Sequence, residues 1–102
     1  MTGEDLMRIL QAVGDPVRME LVFLVGRRGP LNVTDIAAEF ELSRPAISHH
    51  LKVLKDAGIL TSEKRGKEVY YRLNRRSAVE TLRWLADAIE GCCPMPEDAG
   101  QR

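Results

Sequence analysis

Three groups of side chains in this sequence could do chemistry. Cys92 and Cys93 are adjacent and supply two thiols, soft ligands for a thiophilic ion. His49 and His50 lie in the stretch SRPAISHHLKVLKDAGIL, residues 43–60. There Ile47, Leu51 and Leu54 follow helical spacing, and Ser48, Lys52 and Lys55 mark another face, with Arg44 and His49 nearby. The third group is KRGK at 64–67, which places Arg65 and Lys67 around a glycine. Arginine and lysine can reach phosphates or guanine edges, and serine and histidine can meet either. A helix built this way fits a DNA major groove. Its first turn, Ser43 to Ser48, would point deepest.

The charge distribution agrees. The 102 residues carry 15 basic and 15 acidic side chains, a net charge of zero. Residues 43–76, however, hold nine basic residues against three acidic, and the segments on either side are acidic. A zero total hides a local phosphate-binding face.

Those residues need a frame. Thr2 and Asp5 suit a capping box, followed by a helix with Leu6, Ile9, Leu10 and Val13 inward and Gly14 as its stop. Asp15-Pro16 opens a second helix, with Val17, Leu21, Leu24 and Val25 inward; Gly26 and then Gly29-Pro30 end it. Asn32 or Thr34 caps a short third helix carrying Ile36, Ala37 and Phe40. Ser43 caps the fourth, which closes at Ala57 or Gly58. The third and fourth helices form a helix-turn-helix.

Beyond them, Val69, Tyr71 and Leu73 alternate with Tyr70 and Arg72, a strand signal. With Ile59–Lys64 as a first strand and Arg65-Gly66 in the turn, this is a β-hairpin with a basic tip. Asn74 caps a last helix ending at Gly91. Ala78, Leu82, Leu85 and Ile89 form one stripe, and Trp84 and Ala88 a second apolar edge. A helix so widely apolar needs two partners, the second of them another subunit.

The fold expected is mainly α with a β-hairpin wing, a winged helix-turn-helix in the order α-α-α-α-β-β-α. Residues 1–93 form the DNA-binding and dimerisation domain, and residues 94–102 a disordered tail. No apolar run is long enough for a membrane span, and the N-terminus lacks the apolar core of a signal peptide. Two adjacent cysteines are no secreted disulfide framework, so the expected location is the cytoplasm. The sequence shows no Ser/His/Asp spacing, phosphate-binding glycine loop or carboxylate cluster, so an enzyme is not expected. A winged helix used for protein contacts remains the rival. It would expose apolar anchors on residues 44–55, where polar ones stand.

The sequence resembles the ArsR/SmtB family of bacterial transcriptional repressors over about residues 4–90. The likeness is most specific at LSRPAISHHLKVLKDAGIL and KRGKEVYYRLN, with Asp15-Pro16-Val17-Arg18 at the start of the second helix. The resemblance implies homodimers joined through the first and last helices. Their two recognition helices face successive major-groove turns of double-stranded operator DNA, and effector binding releases it. Ser43, Arg44, Ser48, His49, Lys52, Lys55, Arg65 and Lys67 are the expected DNA contacts.

Two sensor sites that the family uses are missing. Asn32, Thr34 and Ala37 stand where an arsenite site would place cysteines, and the last helix offers Asp87 and Glu90 without a histidine for a zinc-type site. No cofactor is required. Cys92 and Cys93 remain as the candidate effector ligands. Trivalent arsenic prefers thiolates; arsenite wants three sulfurs and methylarsenite two. Some members sense trivalent arsenicals through such C-terminal pairs. A thiol redox switch, and a pair with no sensing role, stay open beside this.

Overall fold

The computed structural model describes residues 3–92. Thr2, Cys93 and the tail expected from residue 94 lie outside the described residues. The chain runs α1 (Gly3–Val13), α2 (Pro16–Arg28), β1 (Leu31–Asn32), α3 (Val33–Ala37), α4 (Arg44–Asp56), β2 (Leu60–Arg65), β3 (Glu68–Leu73) and α5 (Arg75–Cys92).

Local chemistry sets most of these boundaries. Asp15 caps α2 by accepting the Arg18 N–H at 3.1 Å. Asn32 and Asp35 form a reciprocal capping box on α3. Ser43 Oγ accepts the Ala46 N–H at 3.2 Å and starts α4. The end of α4 is sharp. Gly58 N–H reaches Lys55 O and Ile59 N–H reaches Leu54 O, the paired bonds of a Schellman motif. That motif needs a left-handed residue, and Gly58 has φ 81°. Asn74 then ties the next helix to this corner, accepting the Ser77 N–H and donating to Gly58 O at 3.2 Å.

The core lies beneath α4. Ile47, Leu51 and Leu54 are each 0% exposed and pack with Leu21, Ile36, Ile59 and Leu60. Burying a side chain of this size stabilises a fold by roughly 1.5–3 kcal/mol. The same stripe that shapes α4 therefore fixes which way its other face points.

The winged helix-turn-helix is as expected, with one element added. The expected order α-α-α-α-β-β-α lacks β1. The sheet has three antiparallel strands in the order β1-β3-β2, with Leu31 opposite Tyr71 and Asn32 opposite Tyr70. A strand of two residues is too short to show alternation in a sequence. Several boundaries also move: α3 ends at Ala37, short of Phe40, and β2 runs Leu60–Arg65 instead of Ile59–Lys64. The second helix runs through Gly26, whose missing side chain leaves room for Leu73 of β3; a Cβ there would stand 3.0 Å from Leu73 Cδ2. The hairpin turn is Gly66-Lys67, not Arg65-Gly66, because Arg65 pairs with Glu68. Gly66 has φ 62° and Lys67 a negative φ, the pattern of a type II′ hairpin turn. The last helix continues past Gly91 to Cys92.

Candidate nucleic-acid interface

The eight polar residues singled out from the sequence are all exposed in the structure. Six lie on α4 or cap it: Ser43, Arg44, Ser48, His49, Lys52 and Lys55. The other two, Arg65 and Lys67, lie at the hairpin tip. Helix and wing are joined by a short corner, since α4 packs on β2.

Several of these side chains are already held. Arg44 donates through Nη1 to Thr34 Oγ1 on α3, so the first turn of α4 carries a guanidinium anchored to the neighbouring helix. Lys52 Nζ donates to Asp56 Oδ2 at 2.8 Å, one turn along α4. This hydrogen bond, with the opposite charges, raises the Lys52 pKa and lowers that of Asp56. Both partners stay ionised at neutral pH. The pair is open to solvent and adds little to stability. Its effect is to draw one cation along the helix, leaving Lys55 as the more available charge of that face.

The wing is organised around Tyr70. The Arg65 guanidinium lies 5.1 Å from the Tyr70 ring centroid, and its Nη2 reaches Glu63 Oε2 at 3.3 Å. Arg65 is thus a positioned cation, and Lys67 stands in the turn beyond it. Lys67→Ala should weaken DNA binding about equally for all sequences and reduce the salt slope of log K by about 1, measured by titration at several salt concentrations. A selective loss on one sequence would instead give Lys67 a base contact.

The sequence did not reveal the partners that hold these groups. Thr34, Asp56, Glu63 and Tyr70 act through spatial neighbours, and only the i, i+4 spacing of Lys52 and Asp56 could have been read in advance. Arg18 is the clearest omission. Its Nε donates to Ala12 O at 2.6 Å and its Nη2 to Gln11 O at 3.3 Å, while Nη1 faces His50 Nδ1 at 3.3 Å. It joins the end of α1, the start of α2 and the middle of α4. His50 is therefore held toward the body of the domain, and His49 is exposed beside it.

Cys92 ends α5 and is exposed; its thiol donates to Ile89 O at 3.7 Å. Cys93 lies outside the described residues. Among the described residues, no group of three or more His, Cys, Asp or Glu is gathered to hold a metal ion. No helix there is long and apolar enough to cross a membrane.

A helix-turn-helix with an outward polar face, an antiparallel wing beside it and a buried helical frame define a winged helix-turn-helix domain. The family model for bacterial regulatory proteins of the arsR family matches residues 15–62. The chain belongs to that family, whose regulators are non-enzymatic DNA-binding proteins.

The transcriptional repressor SdpR of Bacillus subtilis (strain 168) is 33% identical over 81 residues, 79% of this chain and 89% of that protein. The arsenic resistance transcriptional regulator ArsR1 of Pseudomonas putida KT2440 is 35% identical over 83 residues; the match covers 81% of this chain but 62% of that protein. An ArsR-like transcriptional regulator from Rhodococcus sp. RHA1 superposes with a TM-score of 0.74 at 27% identity, covering 88% of this chain and 93% of that one. The homodimeric winged helix-turn-helix domain Mb0332 of Mycobacterium bovis, at 22% identity and TM-score 0.70, covers 87% and 82% and shares the fold.

Proposed function

We propose that this protein is a homodimeric repressor that grips an operator with one α4 from each subunit. It lets go when a thiophilic ligand, foremost a trivalent arsenical, binds Cys92 and Cys93. The observation that carries the DNA-binding half is the division of α4 into two faces. Ile47, Leu51 and Leu54 are wholly buried, and Ser43, Arg44, Ser48, His49, Lys52 and Lys55 are all exposed. Arg65 and Lys67 extend that surface along the wing. Exposed apolar anchors, which a protein-docking face would need, are missing from these positions.

The dimer rests on α5. Of its 18 residues only Thr81 is buried, while Leu82, Trp84 and Ile89 are 47%, 38% and 52% exposed. Met7 of α1 adds a further exposed apolar side chain. Alpha-helices with so much uncovered apolar surface call for a second copy, and a related fold is described as homodimeric.

The effector reading rests on chemistry and on relatives. Two adjacent thiols suit a soft trivalent ion, and several relatives are arsenical resistance repressors. A ligand at the end of a dimerisation helix is placed to change how the two wings sit. A coupling of ~1–3 kcal/mol changes operator occupancy several-fold or more. A cytoplasmic location belongs to the same reading. The exposure of Cys92 favours one second reading, an intersubunit disulfide formed under oxidation.

Reduced protein bound to DNA from upstream of its own coding region should be released by methylarsenite or arsenite, and the Cys92→Ser/Cys93→Ser variant should not. Greater potency of methylarsenite would point to two-sulfur ligation, and of arsenite to a third ligand from water or the other subunit. Release by peroxide alone would replace the arsenical reading with the redox one.

A further inference from the structure

Arg18 occupies a junction that DNA contact alone does not explain. The last carbonyls of a helix lack partners within it and carry partial negative charge. Arg18 satisfies two of them, at Gln11 and Ala12, and so fastens the C-terminus of α1 to α2. The remaining arm of the same guanidinium meets His50 Nδ1 at 3.3 Å, in the middle of α4. A guanidinium has donors and no acceptor, so Nδ1 must accept and the imidazole proton must sit on Nε2. One side chain thereby ties α4 to the frame formed by α1 and α2.

We propose that Arg18 is a positioning residue for the recognition helix, acting through His50, and that a proton on His50 opens this latch. Protonated imidazole has donors on both nitrogens and can no longer accept from Arg18. It also sets a second positive charge beside the guanidinium. The groups around His50 make the opening an exchange of partners. Arg18 faces it from α2, His49 lies on its own helix at 5.9 Å between ring centroids, and the Asp15 carboxylate is charged nearby. Asp15 is held below the usual carboxylate range by the Arg18 N–H, with the charges of Arg18 and His50 adding to this. It therefore stays anionic through the pH range in which imidazoles titrate, ready to receive a cationic ring that Arg18 repels. Histidine is the side chain suited to such a switch. On the DNA-binding reading above, on which this consequence rests, a loosened α4 lowers specific affinity as pH falls.

Two measurements test the latch, one of them without DNA. At pH 8, nitrogen shifts of the His50 ring in the intact protein should report the Nε2–H tautomer, and Arg18→Met should remove that preference. A ring protonated at Nδ1, or a tautomer indifferent to Arg18→Met, overturns the proposal. The second measurement is affinity for the upstream DNA from pH 7.5 to 5.5 at constant ionic strength. It is made on the parent protein and on His50→Asn, both of which keep His49, so whatever that ring contributes is common to the two. In His50→Asn the amide oxygen can still accept from Arg18 and cannot gain a proton. The parent should therefore lose roughly five-fold or more affinity beyond any loss in His50→Asn. Equal falls in both proteins, or none in either, contradict the proposal. The expected tautomer with no DNA affinity at any pH supports the latch and overturns the DNA-binding reading instead.

Discussion

Replacing Arg44 and Ser48 together by alanine is expected to abolish specific DNA binding and leave the oligomeric state unchanged. Both residues stand on the exposed face of the first half of α4, the part of a recognition helix that reaches base edges. A good side-chain contact to a base contributes about 1–3 kcal/mol of discrimination, so losing two should cost at least roughly thirty-fold in specific affinity. The fold should tolerate the change. Alanine is a strong helix former, the Ser43 cap is retained, and the buried face of α4 is untouched. Arg44 also gives up its bond to Thr34, but that hydroxyl is exposed and water replaces the donor. Comparison of specific and nonspecific duplexes, with the mass in solution as control, checks this. An unchanged preference for the specific duplex would remove α4 as the reading element.

The second large effect is expected at α5. Leu82→Glu with Ile89→Glu should yield a folded monomer that binds DNA no better than nonspecifically. Leu82 and Ile89 are about half exposed in the single chain, so a charge at either costs the monomer little. In the dimer the same positions would be covered, and four carboxylates would be brought together without partners. Buried unpaired charge is among the most destabilising changes a contact can suffer. Specific binding should fall with the dimer, because the two half-sites of an operator are held by two recognition helices at a fixed spacing. Sedimentation and DNA titration of the same sample measure both effects. A dimer that survives would place the interface elsewhere, with Met19 and Phe23 as the next exposed apolar pair, one turn apart on α2.

Much of this architecture was legible because the signals were periodic or local. Ile47, Leu51 and Leu54 announced a helix and its buried side, and Asp15, Asn32, Ser43 and Asn74 announced where helices begin. The polar face of α4 followed from the same period. What stayed hidden depends on pairing across the fold. Leu31 and Asn32 form a strand only because β3 lies beside them. Gly26 looked like a helix stop, yet its lack of a side chain serves the contact with Leu73. The clamp made by Arg18 joins residues 32 positions apart, and no spacing rule connects Arg18 to His50. The apolar width of α5 was visible; that even its main stripe would remain largely uncovered within one chain was not.

The most direct test of the central claim is a footprint of the reduced protein on DNA from upstream of its own coding region. Two protected major-groove segments about one helical turn apart, related by a two-fold axis and lost with Arg44→Ala/Ser48→Ala, are expected for a dimer reading DNA with a pair of α4 helices. Absence of protection, or protection that survives loss of both side chains, would contradict it.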